Sequence, residues 1–167
     1  MILGKTELSK LLSDKLVECS IDESSQLQVN GYELTVSRIE AFEGPGRIGF
    51  DNSERVLPSY RAIEWDDGWA FLKKGCYKIT FNEIVSIPKD MCAIALPRSS
   101  LLRSGASIHT AVWDAGYKGR SEAMLVVYND DGFYLKKDAR VIQLLFMRLG
   151  SAQEGYSGRY MNENISG

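Results

Sequence analysis

The sequence predicts a mainly β protein with one short helix near its N-terminus, built as a sandwich, jelly roll or barrel. Apolar and polar residues alternate at positions 32–36 and 77–81, the period of a strand with one buried face. The apolar runs 91–96, 124–127 and 141–147 lack that alternation, which is typical of strands covered on both sides. Many short strands of this kind favour the three architectures.

Turn and helix signals separate these strands. Three glycine-containing segments are typical turn sequences: Gly44-Pro45-Gly46, Asp67-Gly68 and Asp130-Asp131-Gly132. Near the start, Thr6 is expected to cap a helix that places Leu8, Leu11 and Leu12 on one face. The 167 residues contain no repeat or linker, so we expect a single domain over 1–167.

Composition and charge narrow the classes of function. Twenty basic residues against twenty-two acidic ones give a net charge of −2, which argues against general nucleic-acid binding but permits a small anionic ligand. The longest stretch without Asp, Glu, Lys or Arg runs from Ser104 to Trp113. A membrane-spanning helix needs about 20 apolar residues, so we expect none. The N-terminus lacks a signal-peptide pattern, and the expected location is the cytoplasm.

The cysteines and the single histidine do not have the spacing of a metal site. Cys19, Cys76 and Cys92 lie far apart and form no CxxC pair, and His109 is the only histidine. We expect three reduced thiols, with Cys76 and Cys92 serving as small core residues. His109 alone is expected to be a hydrogen-bonded strand residue rather than a catalyst.

Two arginines and two serines directly after an apolar run form the first candidate site, in the segment Arg98-Ser99-Ser100-Leu101-Leu102-Arg103. If the chain makes a helical turn here, backbone N–H groups, hydroxyls and guanidinium groups converge on one anion, and a polyphosphate suits such a cluster. The alternative is a surface turn with solvated arginines.

An aspartate followed by a glycine-containing turn forms the second candidate site, Asp114-Ala115-Gly116-Tyr117. A carboxylate that ends an apolar strand can lie at the mouth of a site, where it orients and partly deprotonates a water as a general base. The alternative is an Asx turn, in which Asp114 caps its own loop.

Five segments in the same order resemble the shared core of the dCTP deaminase and dUTPase superfamily. They are Asn30-Gly-Tyr-Glu-Leu34, Arg98-Ser-Ser-Leu-x-Arg103, Asp114-Ala-Gly-Tyr-x-Gly119, Arg140-Val-Ile-Gln-Leu-Leu-Phe146 and Gly155-Tyr-Ser-Gly-Arg-Tyr160. The resemblance therefore covers most of the chain, and its overall layout is similar to that of archaeal-type dUTPases. Glu33 stands where the first motif of the family usually has aspartate.

The resemblance implies a distorted β jelly roll that assembles as a homotrimer with active sites at subunit interfaces. The implied reaction is the hydrolysis of dUTP to dUMP and pyrophosphate, with Asp114 activating the water that attacks the α-phosphorus. The implied cofactor is Mg²⁺, held mainly by the triphosphate rather than by protein ligands. A mobile tail from about residue 151 would close over the outer phosphates and exclude water.

The resemblance also implies roles for individual residues. Tyr117 would stack against the deoxyribose and leave no room for a ribose 2′-hydroxyl, and Val126 would lie beside the base. The residues implied to hold the triphosphate are Arg98, Ser99, Ser100, Arg103, Gln143, Tyr156 and Arg159.

Deamination of dCTP, alone or combined with hydrolysis, is the alternative activity on the same scaffold. In the deaminases a glutamate stands two positions before a Tyr-Asn pair, whereas here Val126 precedes Tyr128-Asn129. Counting from Asp114 leads instead to Met124, and neither side chain can transfer a proton. The nearest carboxylate, Glu122, is expected to face solvent. A non-catalytic nucleotide-binding module is a third possibility, against which the carboxylate of Asp114 argues.

Overall fold

The computed structural model of the chain describes residues 1–165. Its strands are β1 (Val17–Glu18), β2 (Leu27–Gln28), β3 (Gly31–Glu43), β4 (Ser59–Ala62), β5 (Trp69–Leu72), β6 (Gly75–Phe81), β7 (Ile84–Ser86), β8 (Met91–Pro97), β9 (Ala106–His109), β10 (Lys118–Gly119), β11 (Glu122–Val127), β12 (Phe133–Lys136) and β13 (Arg140–Arg148). Its helices are α1 (Lys5–Ser13), α2 (Glu23–Gln26) and α3 (Ser99–Arg103), with one 3₁₀ turn at Asn52–Glu54. The predicted mainly β class is confirmed.

Antiparallel pairing joins the longer strands into one strongly curved sheet. Its order is β8-β13-β3-β6-β11-β9, and β2 and β4 also pair with β3. Because the two end strands β8 and β9 contact each other, the sheet is nearly closed into a barrel. A small sheet β1-β7-β10 and the ribbon β5-β12 complete the architecture. Within residues 1–165, no helix is both long and apolar enough to cross a membrane.

The core fills the inside of this barrel. Its largest fully buried side chains include Tyr32, Phe81, Phe146, Leu34, Ile39, Ile79, Leu125 and Ile142. Helix α1 adds Leu8 and Leu12, and fully burying one leucine stabilises a fold by about 2 kcal/mol. The helix begins earlier than Thr6, because Gly4 is its N-cap and the Gly4 N–H donates to the Glu7 carboxylate at 3.1 Å.

Strand β3 is buried on both faces, although its alternating pattern predicts one exposed face. Glu33 and Thr35 retain only 4% and 1% of their exposure. Both are buried because distant segments supply polar partners: Arg98, directly after β8, and Arg140 of β13 contact Glu33, and the Glu83 carboxylate accepts hydrogen bonds from Thr35. Burial of a polar side chain is tolerated where its hydrogen-bonding groups are satisfied.

Strand β8 departs from its pattern in the opposite direction. Its apolar run predicts cover on both sides, yet Ile94 and Leu96 are 39% and 59% exposed. On the neighbouring strand β13, Gln143 and Leu145 pair with Leu96 and Ile94 and are only partly buried. One side of this edge of the sheet is therefore an exposed, largely apolar face of the single chain.

The three cysteines are free thiols, as predicted, but their placement differs from the prediction. Cys76 is exposed and Cys92 is partly buried, so neither is a core residue. The expectation of core packing was wrong for Cys76 because its strand β6 turns this position outward, toward solvent.

Candidate active site

The Arg98 segment forms the predicted helical turn. Arg98 is the N-cap of α3 with an extended backbone, and its N–H donates to the Val141 carbonyl at 3.0 Å, which ties the turn to β13. Leu101 is buried and anchors the turn in the core, whereas Ser99 and Ser100 are exposed. The turn therefore presents its two hydroxyls and its N-cap arginine at the surface.

One buried carboxylate organises two arginines beside this turn. Glu33 Oε1 lies 2.7 Å from Arg98 Nε, and Glu33 Oε2 lies 3.0 Å from Arg140 Nη1. The second contact is between opposite charges without hydrogen-bond alignment. Arg98 Nη1 also donates to the Arg140 carbonyl at 3.3 Å. Two guanidinium groups share one carboxylate, so the cluster keeps a net positive charge that suits an anion.

A cleft of about 680 Å³ opens beside the two arginines and contains part of the predicted triphosphate site. Arg98, Ser99 and Gln143 line it together, with Asn30 and Glu33. Ser100 instead lines a separate, mostly apolar pocket on the other side of α3. The Arg103 guanidinium folds back onto its own helix and donates to the Ser99 carbonyl at 3.3 Å.

The Asp114 segment forms a β-turn that points its carboxylate outward. The Tyr117 N–H donates to the Asp114 backbone carbonyl at 3.1 Å, so the backbone rather than the carboxylate closes the turn and the Asx-turn alternative does not form. Gly116 has a φ of +81°, and a Cβ there would lie 2.8 Å from Gly155 Cα. Since L side chains avoid this conformation and the space is filled, the turn needs glycine.

Tyr117 lies behind Asp114 and is held from two sides. Its side chain is 6% exposed, and its hydroxyl donates to Glu163 Oε1 at 2.7 Å. The edge of the Tyr156 ring packs against it at a centroid distance of 5.9 Å. Burial, together with the hydrogen bond and charge of Glu163, raises the pKa of Tyr117 far above its ordinary value, so the phenol stays protonated. Burial also raises the pKa of Glu163.

A second cavity, of about 210 Å³, brings these side chains together. Asp114, Tyr117 and Tyr156 line it with Tyr160 and Glu163. The predicted site thus falls into two groups on one chain, because the linings of the arginine cleft and of this aromatic cavity share no residue.

The C-terminal segment docks along the turn that contains Tyr117 and the start of β10. The Tyr156 N–H donates to the Ala115 carbonyl at 2.7 Å, and the Asn162 N–H donates to the Lys118 carbonyl at 2.7 Å. Arg159 lies between these two anchors and is exposed. The mobility expected from about residue 151 stays a prediction, and residues 166–167 lie outside the described part of the chain.

Two residues of β11, Val126 and Glu122, bear on the choice between dUTP hydrolysis and dCTP deamination. Val126 is only 8% exposed and carries no titratable group. Glu122 does not simply face solvent, as was expected: it lies 3.0 Å from Lys78 Nζ and accepts a hydrogen bond from Asn164 at 3.3 Å. Its side chain lines the aromatic cavity, but its carboxylate is engaged by these partners.

The remaining candidate ligands are scattered. His109 Nε2 lies 3.3 Å from the Tyr128 hydroxyl, which fits the expected role of a hydrogen-bonded strand residue. Among residues 1–165, no three His, Cys, Asp or Glu side chains cluster as metal ligands. Glu33 is held by two arginines, so the exposed carboxylate of Asp114 is the acidic group best placed to meet a metal ion carried in by a phosphate ligand.

Sequence reasoning missed the partners that hold the site residues in place. Arg140 begins the fourth of the five resembling segments, but nothing in that segment indicates that it pairs with Glu33. Glu163 lies in a polar C-terminal segment outside all five.

The chain has the fold of a dCTP deaminase. A 2′-deoxycytidine 5′-triphosphate deaminase from Agrobacterium tumefaciens superimposes with a TM-score of 0.68 at 21% identity, covering 89% of this chain and 48% of that one. The chain therefore spans about half the length of that protein.

Sequence similarity identifies the family. A family model described as dCTP deaminase-like matches residues 2–149. A probable deoxyuridine 5′-triphosphate nucleotidohydrolase of Methanosarcina barkeri is 55% identical, covering 98% of each chain. The deoxyuridine 5′-triphosphate nucleotidohydrolase of Methanocaldococcus jannaschii is 37% identical, covering 96% of this chain and 98% of that one. The chain belongs to the dCTP deaminase-like family.

Proposed function

We propose that this protein is a dUTP diphosphatase that hydrolyses dUTP to dUMP and pyrophosphate in the cytoplasm. The observation that carries the proposal is the contrast between Asp114 and Val126. An exposed carboxylate lies beside the aromatic cavity, whereas the position that needs a glutamate for deamination holds a buried valine. Relatives that match nearly the full chain carry the name of the same activity, which supports this choice.

The proposed mechanism needs a positioned water, a base and cationic groups around the phosphates. Asp114 orients a water and takes its proton as the oxygen attacks the α-phosphorus, and pyrophosphate leaves. Its exposure at the cavity rim suits this role, because a base must reach both water and phosphate. Mg²⁺, held mainly by the triphosphate, would supply further charge neutralisation, and Asp114 is the side chain that would meet it.

Binding of the triphosphate is assigned to the arginine cleft and the C-terminal segment. Arg98, Ser99 and Gln143 line the cleft, and Glu33 fixes the direction of the Arg98 guanidinium. Ser100, Arg103, Tyr156 and Arg159 complete the proposed set. Ser100 and Arg103 would have to reorient toward the ligand. Ser100 now lines the separate apolar pocket, and the Arg103 guanidinium donates to the Ser99 carbonyl of its own helix.

Selection of the nucleoside is assigned to the aromatic cavity. The Tyr117 ring would pack against the deoxyribose and exclude a ribose 2′-hydroxyl by its bulk. Val126 lies outside the lining of this cavity, and we assign it, with the neighbouring strand backbone, to the uracil. A valine side chain can pack against the uracil but cannot transfer a proton, which fits a reaction that takes place at phosphorus alone.

We further propose that the protein works as a homotrimer whose copies complete each other's sites. Two features support this assembly. The arginine cleft and the aromatic cavity share no lining residue, so a substrate reaching both groups calls for two copies. Ile94, Leu96 and Leu145 also give β8 and β13 an apolar outward face, with Gln143 among them. Contiguous exposed apolar surface of this kind is typical of protein interfaces.

Product analysis tests the proposed function. The purified protein with Mg²⁺ receives dUTP and dCTP in separate reactions, nucleotides are resolved by anion exchange, and ammonia is assayed in parallel. We expect dUMP and pyrophosphate from dUTP and no change in dCTP. Ammonia release from dCTP would contradict the assignment and make Glu122 the next residue to substitute. Binding of dUTP without turnover would identify a non-catalytic binding module instead.

A further inference from the structure

The Tyr117 hydroxyl has one carboxylate partner from a distant part of the chain. Its oxygen donates to Glu163 Oε1 at 2.7 Å, across 46 positions of sequence. A hydrogen bond to a charged acceptor is about twice as strong as one between neutral groups. Both side chains line the cavity that also holds Asp114. The contact therefore acts on the ring at the place where the proposed function puts the sugar.

Glu163 is itself held in place by its backbone. Its carbonyl accepts from the Arg120 N–H at 2.9 Å. The next residue, Asn164, exchanges two hydrogen bonds with Arg120: its carbonyl accepts from Arg120 Nη1 at 2.8 Å, and its side-chain amide donates to the Arg120 carbonyl at 3.0 Å. The backbone that carries Glu163 is thus fixed against Arg120, which lies between β10 and β11.

The other neighbours of Tyr117 lie along the edge of its ring and around its hydroxyl. The Tyr156 ring touches it by an edge, and the Gly119 backbone lies so close to the Tyr117 hydroxyl that a Cβ at Gly119 would clash with it. The hydroxyl end also neighbours the Ser121 side chain and borders the cavity, and its hydrogen bond to Glu163 restrains the ring at that end.

We infer that Glu163 is a positioning residue that sets the preference for deoxyribose by holding the Tyr117 ring through its hydroxyl. The inference rests on the proposed function, in which the ring screens out the ribose 2′-hydroxyl. A fixed ring presents a constant wall to the sugar. A ring released from Glu163 can tilt, and the wall then yields to the additional oxygen of UTP.

The test compares kcat/KM for dUTP and UTP in five proteins: wild type, Glu163→Ala, Glu163→Gln, Tyr117→Phe and the double variant Tyr117→Phe/Glu163→Ala. We expect Glu163→Ala and Tyr117→Phe each to lower the dUTP/UTP ratio by about tenfold, the scale of losing one steric discrimination. Glu163→Gln should keep the ratio within about threefold of wild type, because its amide oxygen can accept the same hydrogen bond. In the Tyr117→Phe background, Glu163→Ala should cause no further change.

Each outcome decides the inference. An unchanged dUTP/UTP ratio in Glu163→Ala, with dUTP hydrolysis intact, would overturn the inference. It would also be overturned if Glu163→Ala lowered this ratio equally in the wild-type and Tyr117→Phe backgrounds. If Glu163→Ala does not fold, Tyr117→Phe removes the same hydrogen bond from the other side, and an unchanged ratio there overturns the inference as well. A wild-type protein without dUTP hydrolysis would instead refute the proposed function.

Discussion

Glu33 Oε1 lies 2.7 Å from Arg98 Nε, and this ion pair joins the middle of β3 to the turn that follows β8. The Glu33 side chain is only 6% exposed, while that of Arg98 is 31% exposed. The Glu33 carboxylate is thus the buried partner of the ion pair, and the Arg98 guanidinium is the more exposed partner. Such a carboxylate orients a cationic group for a ligand rather than meeting the ligand itself.

We expect Glu33→Gln to destabilise the protein by about 2 kcal/mol, less than the roughly 3–5 kcal/mol for breaking a fully buried pair, because both arginines remain partly exposed to solvent. The free energy of unfolding from urea titration checks this. The matched control is Glu43→Gln on the same strand, whose exposed pair with Arg61 should contribute less than about 1 kcal/mol. Equal losses in the two variants would show that Glu33 does not act as a buried anchor.

We expect Asp114→Asn to bind dUTP while its hydrolysis rate falls by at least ~10²-fold, the usual scale for loss of a general base. The amide keeps the shape of the carboxylate but cannot take the proton from water. Single-turnover kinetics and calorimetric binding separate the two effects. Asp131→Asn, on the exposed loop before β12, is the control and should keep wild-type activity. A normal rate in Asp114→Asn would remove this residue from the mechanism.

We expect Leu96→Asp to separate the copies of the protein and abolish dUTP hydrolysis, since a charge placed on the apolar face of β8 opposes its burial at an interface. Sedimentation should change from three times the 18.7 kDa of one chain to a single chain. Circular dichroism should be unchanged. Ile21→Asp, which alters an exposed apolar residue away from that face, should remain trimeric and active. A fully active Leu96→Asp monomer would contradict sites shared between copies.

We expect Glu83 to make stability depend on pH. Burial raises the pKa of this carboxyl above its ordinary 4.5, against the effect of hydrogen bonds from Thr35 and Gln26. The folded protein then binds the proton more tightly than the unfolded chain, so this contribution is complete below the unfolded pKa and is lost as pH rises through the folded one.

Glu83→Gln cannot titrate and provides the reference. The difference in free energy of unfolding between wild type and this variant should become less favourable to wild type as the pH rises above the ordinary pKa of 4.5 and through the raised pKa of the folded protein. Other titrating groups, Glu163 among them, are present in both proteins and cancel. A difference that is constant over this range, or that grows with pH, would contradict the raised pKa.

Local patterns were sufficient for the class of fold and for the two turns of the site. The Arg98 helical turn and the Asp114–Tyr117 turn form where the sequence predicts them, because a glycine at positive φ and an apolar residue that anchors in the core are local properties. The start of α1 was displaced by two residues, since Gly4 can use the Glu7 side chain as its cap partner.

Pairings between distant segments could not be predicted in the same way. The alternating pattern of β3 predicted that Glu33 faces solvent. Its burial is tolerated because Arg98 and Arg140 compensate the cost of removing its carboxylate from water. Likewise, nothing near Glu163 in the sequence indicates Tyr117, because their contact depends on how the C-terminal segment crosses β10.

The sequence by itself determined the five longest strands, the turns and the chemical character of the candidate site, since periodicity, glycine positions and side-chain type act over a few residues. The tertiary structure alone decided which carboxylate holds which cation or hydroxyl, and that the arginine cleft and the aromatic cavity are separate on one chain. The physical reason is that side-chain contacts depend on the register and curvature of a closed sheet, in which residues far apart along the chain become neighbours.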